Sequence, residues 1–359
     1  MAYSVEAIKT LSGPMPPAAE WGTYIEDLHA LGFKGQGITV AVVDSGIDLN
    51  DPVSKAALVG GVNLVPGEDP TDLQDRIGHG SLVVRIILAI APEAKIYMVR
   101  IFGSEGSTDN ETAAHGISVA VDHGDLTNAS IGGETSQAMW LAIRRHETAA
   151  KPLIAAAGNS AIDGGTDATA EPESPGSDPY TTTIGAIDRG AMAGTGSRWD
   201  WIPLRPAEYS SSYPEVDAVA IGRIPELYDQ GTSFAAPVVA GIMAVDMSLA
   251  KAIGQAIDDE ACYLRLISRT RQLPGLPAKN DQTGHGMVTM RPFQIPRTLE
   301  VDVKTMAAYL NGQPIDWRAK AGLENRAPGG IYGWLRPIIE ALGGRVEFDA
   351  ARGRARYRL

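Results

Sequence analysis

Three residues, far apart along the chain, carry side chains that together can cleave an acyl bond. Asp44 closes the apolar run ITVAVVD and is followed by Ser45-Gly46, a turn that frees its carboxylate to point out of a sheet edge. His79 stands in GHG, ahead of an apolar stretch, and Ser233 stands in GTSFAAPVVAGIMA, at the start of another. A serine hydroxyl is a weak nucleophile near neutral pH and needs an adjacent base. An imidazole titrates in that range, so it can take the proton and return it to a leaving amine. A buried carboxylate fixes the imidazole tautomer and stabilises the imidazolium. The oxyanion then needs donors, and Asn159, closing KPLIAAAGN, brings a side-chain amide to a strand end. Taken singly, Asp44 and Asn159 are also ordinary turn residues, and His79 and Ser233 ordinary helix caps. Their joint occurrence in this order favours catalysis.

These residues need a scaffold that gathers strand ends. The runs 38–44, 95–102, 126–131, 151–159 and 180–187 read as short strands, several apolar on both faces, as expected of a parallel sheet covered on both sides. Helices are expected over 81–90, 110–123 and 137–150. The helix that starts at Ser233 is apolar all round and belongs in a core, with Pro237 expected in its first turn. Strand–helix–strand repetition of this kind predicts an open α/β sheet, whose active site forms at the carboxyl ends of the strands. Residues 163–179 form an acidic Gly/Pro/Ser-rich loop. Near residue 295 the character changes to a small α+β unit, with a helix near 335–342 and a final hairpin turning at 350–353.

Composition limits the rest. The chain has 359 residues, 44% hydrophobic and 21% charged, enough for a large buried core. A net charge of −12 disfavours nucleic acid and anionic membrane surfaces as partners. The single cysteine, Cys262, excludes an intrachain disulfide and a cysteine-based metal cluster, and reads as a core residue. His29, His115, His123, His146 and His285 show no metal-ligand spacing. Residues 1–22 lack a basic start followed by an apolar core, so no secretory signal is expected. The apolar run 82–91 carries Arg85 and is too short to span a bilayer. The expectation is a soluble, cytoplasmic protein, with phage association or a non-standard export route as the alternative.

In order and spacing the motifs resemble the subtilisin-like serine proteases. The order Asp, His, Ser is the one found in that family. VAVVDSGID resembles its Asp motif, GHGSLVV its His motif and GTSFAAPVVAG its Ser motif. APEAKIYMVRIFG, NASIGG, AAAGN and GHGMVTMRPF resemble the strand after the His helix, the substrate-pairing strand, the oxyanion segment and the closing segment. The resemblance implies a subtilisin-like α/β fold, a parallel sheet sandwiched between helices. It implies a serine endopeptidase acting on protein or peptide substrates through an acyl-enzyme. Asp44 would orient His79, His79 would be general base and acid, and Ser233 the nucleophile. Asn159 and the Ser233 amide would form the oxyanion hole, and Ser130, Ile131 and Gly132 would pair with the substrate.

The departures are informative. Ser81, Leu82 and Arg85 stand where the family usually has Thr, His and Gly. The Asn-rich calcium loop of many subtilisins is absent after Leu88, so calcium is not expected at that place; no cofactor is expected, with calcium elsewhere as the alternative. Aligned on Pro175, Glu173 falls at the base of the specificity pocket, where a carboxylate would favour Lys or Arg. The alternative for Glu173 is one charge in a solvated loop. Residues 300–359 resemble the stalk domain related to the N-terminal domain of copper amine oxidases, with NGQPID in its earlier hairpin. That resemblance implies an accessory module without copper chemistry, making protein, cell-wall or self contacts. The expected organisation is a leader over 1–19, too short for an inhibitory prodomain, a peptidase domain over 20–295 and a stalk-like domain over 296–359. The competing function class is a catalytically silent scaffold of the same fold.

Overall fold

The structure is a computed structural model. It describes residues 3–5, 25–160, 172–188, 205–224, 229–273 and 275–290, together with five short strands between 299 and 358. The chain divides into two compact units, one of residues 1–248 and 258–290, the other of 249–257 and 291–359.

The first unit is built on a twisted sheet. Its strands run in the order Thr270–Arg271, Met287–Val288, Val216–Ile221, Thr182–Asp188, Leu153–Ala156, Leu126–Ala129, Thr39–Asp44, Lys95–Arg100 and Leu58–Asn63, with Arg205–Pro206 paired to Thr182–Asp188. All neighbours from Met287–Val288 to Leu58–Asn63 are parallel. Only Thr270–Arg271 and Arg205–Pro206 run antiparallel. The expected open α/β sheet is therefore present, and the strand that ends in Asp44 lies inside it, between Leu126–Ala129 and Lys95–Arg100.

The apolar-on-both-faces pattern has a direct cause. Val40, Ala41, Val42 and Val43 are all fully buried. Ala41 and Val43 belong to a core with Val99 of the adjacent strand and with Ile117, Ala120, Met139 and Ile143 from the helices Asn110–His123 and Gln137–Ala149. Val40 and Val42 lie on the opposite face by strand alternation. The helix Thr232–Ala252 packs so closely on the helix His79–Ile90 that a Cβ on Gly241 would press on Ile90 and the Ile87 carbonyl. Asp109 and Ser136 cap their helices by accepting from Thr112 N and Met139 N.

The predicted helices differ from the observed ones by one or two residues at their ends. The helix expected at 81 begins at His79 itself. Pro237 is a correction: it lies inside Thr232–Ala252, beyond the first turn, where its missing N–H withholds a helical bond from the Ser233 carbonyl. By length and composition this helix could cross a membrane, but its residues are buried inside the protein. The helix His79–Ile90 passes through Ala91 to the strand Lys95–Arg100 without an inserted loop. Tyr3–Ser4, expected in a leader, pairs antiparallel with Ser107–Thr108, and Tyr3 is fully buried.

The second unit contains an antiparallel sheet in the order Gln313–Ile315, Ala307–Leu310, Leu299–Asp302, Arg354–Arg358, Arg345–Asp349. Leu310 pairs with Gln313 around Asn311-Gly312, and Asp349 pairs with Arg354 around 350–353, where the two hairpins were expected. The helix expected near 335–342 lies outside the described residues.

Candidate active site

Because the strands are parallel, their carboxyl ends share one edge of the sheet. Asp44 is the last residue of its strand. Ser130 follows the strand Leu126–Ala129, and Asn159 lies three residues past Leu153–Ala156. His79 and Ser233 come to the same edge as the first residues of helices, His79 in His79–Ile90 and Ser233 second in Thr232–Ala252.

Asp44 and His79 are in direct contact. The His79 Nδ1–H donates to both carboxylate oxygens of Asp44, at 2.8 and 3.0 Å. Asp44 is fully buried and His79 is 3% exposed. Ser45 N–H donates to Asp44 Oδ1 at 2.7 Å, so the turn after the strand orients the carboxylate. This arrangement places the imidazole proton on Nδ1 and the basic lone pair on Nε2. The helix reaches so close to that turn that a Cβ on Gly80 would collide with the Gly46 carbonyl. Gly78 precedes His79 with φ of 92°, a left-handed conformation that glycine adopts without strain.

Two further groups, absent from the sequence-based expectations, brace this pair. Asp75 accepts five hydrogen bonds: from Ile77 N, Gly78 N and Ser45 Oγ on one oxygen, and from Ser81 N and Ser81 Oγ on the other. Burial pushes its pKa up, but these donors outweigh burial and hold the carboxyl below its ordinary range. Ser45 Oγ also accepts from Gly80 N at 2.9 Å, which ties the Asp44 turn to the first turn of the His79 helix. The detectable signal was an aspartate shortly before a helix start, an ordinary capping pattern. Arg100, fully buried, lies opposite Asp44 in the neighbouring strand. It donates to the Ser45 carbonyl at 3.2 Å and to Glu68 Oε2 at 2.5 Å. Leu82, one of the departures, is a fully buried core residue.

Ser233 is partly exposed, whereas every other residue from 231 to 248 is buried. Its hydroxyl donates to the Ser130 carbonyl at 3.2 Å. The ring of the next residue, Phe234, lies 5.6 Å from the His79 ring, so the imidazole stands beside the start of the Ser233 helix. Asn159 Oδ1 accepts from Thr232 N at 2.9 Å and from Thr232 Oγ1 at 3.0 Å. With its oxygen held this way, the amide of Asn159 presents its NH2 end as the donor. Gly158 N–H donates back to Thr232 Oγ1 at 3.1 Å, so the Asn159 segment and the Ser233 helix are joined by three hydrogen bonds.

Ser130, Ile131 and Gly132 continue past Ala129, the last residue of their strand paired to either neighbour. Ile131 points into the core, 2% exposed. Gly133 and Ser174 exchange backbone hydrogen bonds of 3.0 and 2.9 Å, which fixes the loop carrying Glu173 against this segment. The Glu173 carboxyl is partly buried, and burial raises its pKa. A Cβ on Gly132 would fall on Glu173 Oε2, and one on Gly158 would stand 3.1 Å from it. The structure thus brings Asp44, His79, Asn159, Ser233, Ser130, Gly132 and Glu173 to one region. Of the other histidines, His29 contacts the Ile90 carbonyl, His146 the Ile117 carbonyl, and His123 stacks on Tyr97. Among the described residues, no group of three His, Cys, Asp or Glu side chains is arranged to hold a metal.

Comparison with known proteins agrees with this geometry. Residues 35–286 match the Subtilase family. The chain is 30% identical over 266 residues to the intracellular serine protease of Paenibacillus polymyxa, covering 68% of this chain and 77% of that protein. It is 31% identical over 290 residues to subtilisin-like protease 1 of Trichophyton verrucosum, covering 74% of this chain and 65% of that one. It is also 31% identical over 241 residues to subtilisin E of Bacillus subtilis strain 168, covering 62% and 58%. The chain thus spans less than two thirds of the last two relatives.

Proposed function

The chain belongs to the subtilase family, and from that premise we propose that it is a serine endopeptidase with Asp44, His79 and Ser233 as its catalytic triad. The observation that carries this reading is the buried His79–Asp44 pair, with its proton on Nδ1, standing beside a partly exposed serine at a helix start. In the reaction, Ser233 Oγ attacks the substrate carbonyl carbon and passes its proton to His79 Nε2. Asp44 holds the ring and stabilises the imidazolium. The carbonyl oxygen gains the negative charge and takes hydrogen bonds from Asn159 Nδ2 and Ser233 N–H. Collapse of the tetrahedral intermediate breaks the C–N bond, and His79 gives its proton to the departing amine. A water, deprotonated by His79, then hydrolyses the acyl-serine.

Ser130, Ile131 and Gly132 are the segment along which an extended substrate backbone would lie as an added strand. The second unit is assigned an accessory, stalk-like role, supported by its two hairpins at 307–315 and 345–358.

The test is active-site labelling with a fluorophosphonate. Wild type is expected to be labelled, and Ser233→Ala is not. A wild type that is folded by circular dichroism yet unlabelled would refute the endopeptidase reading in favour of a silent scaffold.

A further inference from the structure

Residues 3–5 lie against the segment assigned to the substrate backbone. Tyr3–Ser4 is a strand added antiparallel to Ser107–Thr108, with Tyr3 opposite Thr108 and Ser4 opposite Ser107. Val5 N–H prolongs the ladder by donating to the Gly106 carbonyl at 2.9 Å. The Tyr3 side chain reaches across to the substrate segment. Its ring lies on Gly133, where a Cβ would stand 2.8 Å from it, and its hydroxyl donates to the Glu134 carbonyl at 3.2 Å. Gly133 is three residues past Ser130, whose carbonyl accepts from the Ser233 hydroxyl.

The direction of these residues matters as much as their place. From Tyr3, beside Gly133, the chain runs to Val5, beside Gly106. A Cβ on Gly106 would stand 2.8 Å from the Val5 carbonyl and 3.6 Å from Ile77 Cδ1, and Ile77 is two residues before His79. The segment therefore leads toward His79, as the acyl side of a peptide must if its carbonyl is to reach Ser233. Its anchor is apolar. Tyr3 is fully buried in one cluster with Ile77, Phe102, Ile131 and Met139, and Val5 packs against that cluster. A side chain at position 133 would displace the ring, so glycine there is what admits it. Part of the leader expected from the sequence thus belongs to the groove.

We propose that residues 3–5 are an autoinhibitory strap: the chain's own strand, anchored by Tyr3, fills the part of the substrate groove that leads to Ser233, and a substrate binds only when the strap lets go. This rests on the endopeptidase reading. A peptide laid as an added strand along Ser130–Gly132 competes with the Tyr3 ring for the space over Gly133. A segment tethered in cis competes at an effective concentration of about millimolar, so even a weak strand keeps the groove mostly closed. Closure for about nine-tenths of the time lowers the apparent affinity for substrate about 10-fold and leaves the chemistry of the open form unchanged.

The test compares the full chain with a form lacking residues 1–5 and with Tyr3→Ala, all titrated with a fluorophosphonate so that rates refer to competent sites. On an extended peptide substrate both altered forms should gain about 10-fold in kcat/KM, through KM, with kcat little changed. A synthetic peptide of residues 1–8 should inhibit the truncated form competitively at about millimolar or below, and the same peptide with Tyr3→Ala should inhibit less. A strand that only supports the fold predicts the reverse: truncation lowers Tm and activity together, and the added peptide restores both. Altered forms that are labelled yet gain nothing, or a peptide that activates, overturn the strap and leave the endopeptidase reading standing. A binding readout judges the strap without catalysis. The dye-labelled substrate, followed by fluorescence anisotropy, should bind truncated Ser233→Ala about 10-fold tighter than full-length Ser233→Ala. Equal affinities overturn the strap, whether or not the wild type is labelled; tighter binding in a protein whose wild type is never labelled keeps the strap and sinks the endopeptidase.

Discussion

Replacing Asp75 with asparagine tests whether the bracing behind Asp44 and His79 matters to catalysis. The carboxylate accepts from five donors, three on one oxygen and two on the other. Asparagine keeps one oxygen. If that oxygen stays with Ile77 N, Gly78 N and Ser45 Oγ, the new NH2 group meets Ser81 N–H, a backbone donor that cannot turn away. Ser81 Oγ can rotate and accept instead. One orphaned donor costs about 1–3 kcal/mol, nearer the lower figure at a partly buried site, and the three retained bonds lose their charge assistance. The sum is a loss of about 2–4 kcal/mol of stability, or roughly 5–15 °C in Tm. The catalytic effect follows from Ser45, which links Asp75 to the Asp44 carboxylate and to Gly80 N. A small displacement of His79 should lower kcat about 10- to 100-fold, well below the melting temperature, with KM little changed. Ser45→Ala cuts the same link without disturbing Ser81. In the cycle of single and double variants, the double should therefore lose hardly more kcat than Asp75→Asn alone. If kcat is unchanged in Asp75→Asn, or if the two effects multiply as independent ones, Asp75 only holds the fold together and the reasoning fails.

Two other expectations rest on single side chains. Asn159→Ala should lower kcat about 100- to 1,000-fold with little change in KM, the general range for loss of one oxyanion donor; steady-state kinetics on a peptide amide would show it, and a KM-only effect would count against the role. His146 is buried against the Ile117 carbonyl, and burial, helped by the charges of Lys151 and Arg145, lowers its pKa to about 4. The unfolded chain binds its proton near pH 6.5, so wild-type stability should fall by about 3 kcal/mol as pH drops from 6.5 to 4. Denaturant titrations at both pH values should give a shallower fall for His146→Gln, and an equal fall would show that other groups set the acid limit.

The sheet was legible where burial on both faces left no room for polar residues, as in residues 39–44. It was less legible where a local requirement broke the pattern. Leu58–Asn63 contains Gly60-Gly61, and glycine weakens a strand signal. Yet a Cβ on Gly61 would collide with the Met98 carbonyl of the adjacent strand. Val216–Ile221 is interrupted by Asp217, a buried acid that accepts from Thr183 N and Tyr263 Oη. Those partners are distant in sequence, so the aspartate reads as a loop residue until the strands are assembled. The candidate triad stood out because each member sits at the edge of an apolar run, Asp44 at its end and His79 and Ser233 at its start. Asp75 did not, because its donors come from two segments that meet only in the folded protein. The setting of Glu173 depends likewise on two glycine segments whose approach no local pattern announces.

The order in which the chain supplies its site to the central sheet has a consequence for synthesis. Asp44 and His79 come from its first quarter, Asn159 from its middle, and Ser233 from a helix that follows seven of the parallel strands. Domains tend to fold as units as the chain emerges from the ribosome. On the proposed assignment, a nascent chain therefore displays its acid and base long before its nucleophile. The last parallel strand, Met287–Val288, is made later still. Vectorial synthesis alone thus delays the ability to cut, and the growing polypeptide is shielded from its own product by the sequence in which its parts are delivered.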